Sequence, residues 1–390
     1  MKLLSRGFVG MLLLGFILSL AGSSPVQAQE GEAVLGLLLP TTGFVAYYGK
    51  QMRLSADMAV EDINKAGGIN GKKIRLVFYD TGGKPEEAIN STRRLATSDN
   101  VVAIMGPMTS SECRVAYPLA NRLGIPIVAS ACSAPGLGAA NRPWAFRNTV
   151  LEADVAAPSL TYWAKKHNVK SVVVFYDNKD IVSKSFGLEV MPALLKDNGI
   201  KLVDSISVVT GDMDYSAQVT KAKSLNAEGL VLSALANESA GIAREARRQG
   251  LKQPMFGGSF LAGPQFISKG GSAVEGVIMG SGFWQDNPDP TIAAFVKRFK
   301  EREPSKEPPH QVTVYQYETI TIMKYCSEKT GVQFKPETLK QDREKIRDCW
   351  QNLRNHKVLS STMSMIEGDG KRPPLIIEVK GGTFELLKTN

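Results

Sequence analysis

Residues 33–80 read "AVLGLLLPTTGFVAYYGKQMRLSADMAVEDINKAGGINGKKIRLVFYD". The opening AVLGLLL is a continuous apolar run of strand length. From about 49 to 66, Met52, Ala56, Ala59 and Ile63 recur at spacings of three and four, which puts one apolar stripe along a helix. The helix ends in glycine, and "KKIRLVFYD" resumes as a strand. Strand, helix and strand in this order are the repeating unit of a parallel sheet.

The unit repeats outward. "VVAIMG" and "PIVAS" add two strands, with helices predicted at about 84–98 and 111–123. After Pro143 the rhythm restarts: "SVVVFYD", "KLVDSISVV", "GLVLSAL" and "PMFGG" alternate with helices near 153–167, 184–198, 215–225 and 238–249. A faint internal echo, "NKAGGINGKKIRL" against "LKDNGIKLV", places a Gly-terminated helix before the second strand of each half. Residues 289–355 are mainly helical, "EREPSKEPPH" is a surface connection, and "PLIIEVKGGTFELL" reads as a hairpin about Gly381-Gly382. The fold class is therefore α/β, as two lobes in contact. The boundaries are 29–150 plus about 281–355 for the first lobe, and 151–280 plus about 356–390 for the second.

The N-terminus carries a different signal. Lys2 and Arg6 precede the apolar "GFVGMLLLGFILSLAG", and Val26-Gln27-Ala28 offers a small-residue cleavage site before Gln29, so residues 1–28 are predicted to be a removed signal peptide and the protein to be exported to the periplasm. Without Lys2 and Arg6 the formal charge falls from +9 to +7. That charge is dispersed among acids in "KRFKEREPSKE" and "KQDREKIRD", and no basic run is interleaved with aromatics, which argues against a nucleic acid partner. Export permits disulfides, and the four cysteines fall in two local pairs. Cys326 and Cys349 sit on helices that a short hairpin would bring together. For Cys113 and Cys132 a bridge competes with two buried thiols.

Ligands of open α/β sheets sit beyond the carboxyl ends of the strands. "GPMTSSEC" (106–113) follows such an end and brings three hydroxyls to the start of a helix. Thr109 and Glu112 fit a capping box, while Ser110 and Ser111 are left to hold an anion at the helix N-terminus, with Ser133 of "ACSAP" one strand away. Catalysis fits poorly: there is no G-x-S-x-G elbow, and His167, His310 and His356 stand in helix-end or connector contexts expected to lie on the surface. No C-x-x-C, H-E-x-x-H or Asp-rich loop suggests a metal, and no Gly-rich phosphate motif suggests a nucleotide, so neither metal nor cofactor is expected. A secreted α/β hydrolase is the rival reading from another class.

The chain resembles the solute-binding proteins of branched-chain amino acid ABC transporters, the leucine/isoleucine/valine-binding type. The first block is the most specific part of the likeness, with its Tyr-Gly, its "AVEDINKAGGING" helix end and its "YD" strand end. The resemblance implies the periplasmic binding protein type I fold: two lobes, each a parallel α/β/α sandwich, joined by three crossovers and closing on a small solute. It also implies a monomer without catalysis that delivers its ligand to a membrane permease. A ligand carboxylate would be held at Ser110, Ala131 and Ser133, with Tyr48 against its side chain. In the second lobe the pattern breaks. Ser259 stands where the family places a Glu for the ammonium, and Leu235 or Ala236 where it places a Tyr. The family's disulfide partners are replaced by Gly83 and Thr109. Two ligand classes follow. One is an apolar or aromatic acid contacted by Phe44, Tyr47, Tyr48 and Phe260. The other is an amino acid read by a rearranged set of acids from among Asp177, Asp180 and Glu238. A ligand sensor of the same fold is a further alternative.

Overall fold

The computed structural model describes residues 31–387, so the predicted signal peptide lies outside the described residues. Strand β1 (Glu32–Leu39) is buried at every position after the first, because it lies between β2 (Lys73–Asp80) and β3 (Ile104–Met105) and is covered on both faces. Its side chains alternate. Leu35, Leu37 and Leu39 join the core beneath α1 (Ala46–Lys65), while Val34 and Leu38 join the core beneath α2 (Pro85–Thr97) and α3 (Ser110–Leu123). The α1 stripe of Met52, Ala56, Ala59 and Ile63 is buried there. Strands β4 (Ile127–Ala129) and β5 (Ala145–Arg147) extend the parallel sheet.

The second lobe starts with α4 (Glu152–His167) and repeats the scheme. Its parallel strands are β6 (Ser171–Asp177), β7 (Lys201–Val208), β8 (Gly229–Ser233), β9 (Met255–Gly257) and β10 (Ile278–Ser281). The helices between them are α5 (Ile181–Ser185), α6 (Met191–Asp197), α7 (Ser216–Ser224), α8 (Ala236–Arg248) and α9 (Pro264–Gly270). The single helix predicted near 184–198 is two α-segments around a π-turn at Phe186–Val190, and it starts earlier because Asp180 caps it. The chain then returns to the first lobe as α10 (Pro290–Arg302), α11 (Gln311–Thr330) and α12 (Leu339–Gln351), with α11 packed along α1.

The predicted lobe boundary at 356 needs correction. Strands β11 (His356–Lys357), β12 (Thr362–Ile366) and β13 (Asp369–Lys371) all join the first sheet, whose order is β11-β12-β13-β5-β4-β3-β1-β2. The physical anchor is Arg147 of β5. Its side chain is fully buried, and Asp369 supplies the counter-charge at 2.7 Å, which pulls β13 alongside β5. Only the hairpin of β14 (Leu375–Lys380) and β15 (Thr383–Leu386) joins the second sheet, of order β15-β14-β10-β9-β8-β6-β7.

The chain therefore crosses between lobes three times, at 148–151, 282–289 and 372–374. Polar side chains bind these crossovers together. Arg372 donates to Glu318 of α11 at 2.9 Å, both side chains fully buried, and also to Asn148, while its guanidinium stacks 4.0 Å from the Tyr315 ring centroid. Disulfides join Cys326 of α11 to Cys349 of α12 and Cys113 of α3 to Cys132 beyond β4. Closing loops of 19 and 23 residues contributes roughly 3 kcal/mol each in the chain-entropy model.

Candidate functional site

The carboxyl ends of both sheets face one another, and the loops that leave them enclose a cavity of about 80 Å³. The lobes touch across it. Val182 of α5 packs on the first-lobe core around α3, and Leu235, which follows β8, packs on the core around α1. The arrangement is closed.

The first-lobe face is a set of hydrogen-bond donors. Gly106, at φ 112°, turns the chain out of β3 where any Cβ would collide with the Leu38 carbonyl. Four residues later α3 begins with the predicted capping box: Thr109 Oγ1 accepts from the Glu112 N–H at 3.3 Å, and the Thr109 N–H donates to Glu112 Oε2 at 2.8 Å. With Thr109 and Glu112 satisfying each other, Ser110 lines the cavity and its hydroxyl accepts from the Ala134 N–H at 3.2 Å, which leaves the hydroxyl proton to donate. Ala131 and Ser133 line the cavity from the next loop, which the Cys113–Cys132 bridge holds against the first turn of α3.

The second-lobe face combines apolar side chains with acids. Leu235, Phe260 and Val182 form a wall, and Phe260 is fixed edge-on to Phe186 with ring centroids 5.6 Å apart. Asp180 also lines the cavity; its Oδ2 accepts from the Ser183 N–H and hydroxyl at 2.8 and 2.7 Å. Burial nevertheless holds this carboxyl above the ordinary aspartate range. Glu152, the first residue of α4, is more deeply placed. Its Oε2 accepts from the Ser259 N–H at 2.9 Å and its Oε1 from the Ser259 hydroxyl at 2.6 Å. Loss of water pushes its carboxyl up to about 7, against the opposing pull of Ser259 and the nearby Ser133 hydroxyl.

The start of α11 closes the floor. His310 is buried and lines the cavity with its ring edge-on to Tyr48 at 5.2 Å. Its Nδ1 accepts from the Val312 N–H at 3.3 Å, so the proton sits on Nε2, which makes no aligned hydrogen bond. Burial lowers its pKa to about 4, which leaves the ring neutral. Next to it, Gln311 donates to the Ser259 carbonyl and hydroxyl, both at 3.0 Å.

The structure brings Tyr48, Ser110, Ala131, Ser133, Asp180, Leu235, Ser259 and Phe260 to one cavity. It does not bring Ser111, whose hydroxyl turns to Thr109 Oγ1 at 3.0 Å because the next position of a helix points off the end rather than across it. Phe44 is 57% exposed, and Tyr47 donates to Glu307 at 2.6 Å, so neither aromatic lines the cavity. Asp177 is occupied by the N–H groups of Lys179 and Thr210, and Glu238 by that of Gly211. His310 departs from the expected surface position. Glu152, His310 and Gln311 were missed, and only their places at the starts of α4 and α11 could have marked them.

Residues 32–368 match the family model described as "Periplasmic binding protein". A leucine-, isoleucine-, valine-, threonine- and alanine-binding protein of Pseudomonas aeruginosa is 27% identical over 331 residues, 84% of each chain. A Leu/Ile/Val-binding protein homolog of Brucella melitensis is 30% identical over 255 residues, 65% of this chain and 68% of its own. Among solved structures, the branched-chain amino acid transporter substrate-binding protein of Streptococcus pneumoniae, in complex with isoleucine, aligns with a TM-score of 0.79 at 22% identity, covering 92% of this chain and 100% of that one. A solute-binding protein of R. palustris, in complex with benzoate, aligns at 0.79 and 18% identity, covering 92% and 96%. The chain belongs to the periplasmic binding protein family, whose members are solute-binding proteins and not enzymes.

Proposed function

We propose that the protein is the exported solute-binding component of an ABC importer, which captures a small carboxylate-bearing ligand between its lobes and delivers it to a membrane permease. The donor face carries this reading. The Ser110 and Ser133 hydroxyls and the α3 N-terminus converge on a closed interlobe cavity, and an anion is the partner such a face suits. The relatives named for leucine, isoleucine and valine, and the neighbour holding benzoate, support a carboxylate with an apolar body. Cleavage of the predicted signal peptide would release a periplasmic monomer.

Each hydrogen bond to a charged group contributes about 1.5–3 kcal/mol. Ser110→Ala combined with Ser133→Ala is therefore expected to weaken ligand binding at least about tenfold in calorimetric titration. Affinity equal to that of the unmodified protein would end the carboxylate assignment.

A further inference from the structure

Among the described residues no Lys or Arg lines the cavity, so an anion there is met by neutral donors alone. Neutral donors grip an anion well only if they already point at it, because each one that must turn on binding gives back part of what it contributes. Whatever points them is therefore part of the site.

The loop carrying Ala131 and Ser133 is held from behind by one side chain. Arg147, at the end of β5, is fully buried and lines no part of the cavity. Its Nη1 donates to the Cys132 carbonyl at 2.9 Å and to the Ala134 carbonyl, on either side of Ser133. Its Nε donates to Asp369 Oδ1 at 2.7 Å, which fixes the guanidinium plane. Gly138 leaves room for that carboxylate, since a Cβ there would collide with Asp369 Oδ1.

Peptide geometry carries the clamp through to the cavity. A trans peptide is planar, with its C=O and N–H antiparallel. The Cys132–Ser133 bond is trans, the cis bonds being Gly106-Pro107 and Arg142-Pro143. Drawing the Cys132 carbonyl onto Arg147 thus turns the Ser133 N–H to the opposite side, where it has no acceptor among the described residues. The next N–H, that of Ala134, donates to the Ser110 hydroxyl, so the clamp reaches both serines. The Cys113–Cys132 bridge ties the same loop through a side chain. Stability alone does not account for Arg147, because a buried guanidinium is costly and its Nη2 finds no aligned acceptor.

We propose that Arg147 is a positioning residue of the anion face: by holding the carbonyls of Cys132 and Ala134, it aims the Ser133 N–H and hydroxyl at the bound anion without touching it. The proposal rests on the carboxylate-binding reading of the same cavity. Asp369 serves it in turn, by fixing the direction of the guanidinium.

The test uses the full mature chain, unfolded and refolded to remove carried-over ligand, with leucine and benzoate as the probes in calorimetry. Arg147→Met combined with Asp369→Asn removes the clamp without leaving a buried charge unpaired. The expected result is a loss of at least about tenfold in affinity for each probe that the unmodified protein binds. A double-mutant cycle separates positioning from a merely structural role. Ser133→Ala should cost about tenfold in the unmodified protein and less than about threefold once the clamp is gone. Leu235→Ala, on the opposite wall, should cost the same factor in both backgrounds. Should the pair variant not fold, Arg147→Lys takes its place. It keeps a cation for Asp369, but one ammonium cannot serve Asp369 and both carbonyls, so the same coupling to Ser133 is expected.

A cost of Ser133→Ala that is the same with and without the clamp would overturn the role of Arg147 and leave the carboxylate reading standing. Unchanged affinity in the Arg147 variants would do the same. If Ser110→Ala combined with Ser133→Ala costs nothing in the unmodified protein, or if neither probe binds it, the carboxylate reading fails and this proposal with it.

Discussion

The two walls of the cleft are built by the same kind of loop, at the carboxyl ends of parallel strands, yet they carry opposite chemistry. The first-lobe wall presents hydroxyls and the N-terminus of α3, and no acid of that wall lines the cavity, since Glu112 is turned back onto Thr109. The second-lobe wall presents Leu235, Phe260 and Val182 together with the acids Glu152 and Asp180. Under the proposed function the difference is a division of labour: the first wall would recognise what a class of ligands shares, a carboxylate, and the second would read what distinguishes its members.

The harshest way to break the comparison is to give the first wall the chemistry of the second. Ser110→Asp places a carboxylate where the proposed function puts the ligand's own carboxylate. Two like charges a few ångströms apart in a closed cavity repel strongly, so binding should fall by about 1,000-fold or more, roughly 4 kcal/mol. Calorimetry on the folded variant measures this, and retention of submillimolar binding would show that the carboxylate lies elsewhere.

A smaller effect separates the walls by titration. Glu152 gives up its proton near 4.5 in the unfolded chain and at about 7 in the folded one. Below about pH 4.5 both states are protonated. Between the two values the folded state keeps a proton that the unfolded state has released, so rising pH favours unfolding until both are ionised. Ligand-free protein should therefore lose up to about 3 kcal/mol of stability through this group between about pH 4.5 and 7.5. Urea unfolding at several pH values, compared with Glu152→Gln, isolates the contribution. An identical pH dependence in the two proteins would remove Glu152 as its source.

The two walls also differ in how far they could be read from sequence. The donor wall is local: Thr109 and Glu112 form a motif within four residues, and a helix start after a short apolar strand identifies the end of the sheet on which they sit. The strand and helix order was legible for the same reason, because each element declares itself by periodicity within its own length. The acid wall is not local. Glu152 and Ser259 are 107 residues apart, and Ser259 and Gln311 are 52 apart, so neither periodicity nor a short motif connects them. The substitution of Ser for Glu at position 259 was visible as a gap in a pattern. That the Ser would hold another acid in place could be seen only once the crossover at 148–151 had brought the start of α4 against the 259–261 turn. The 356–371 segment was misassigned by the same limit, since its strands are joined to the first sheet by the buried contact of Asp369 with Arg147, 222 positions away.

Leu235 offers the finest test, because it belongs to the second wall but packs on the core of the first. It therefore has two places, in the contact that holds the lobes closed and in the apolar lining of the cavity. Leu235→Ala removes a few methylene equivalents from a partly buried site, a change of about 1–2 kcal/mol. Affinity for leucine should fall roughly five- to thirtyfold. Alanine as ligand separates the two contributions: its single methyl offers far less apolar surface to the wall than the leucine side chain, so the loss it shows reports mainly closure. If the variant weakens leucine and alanine equally, the residue acts only as a latch between lobes and the selective role of the second wall rests on Phe260 and Val182. If leucine suffers and alanine does not, the second wall is the selective one at this position, and the comparison holds down to a single side chain.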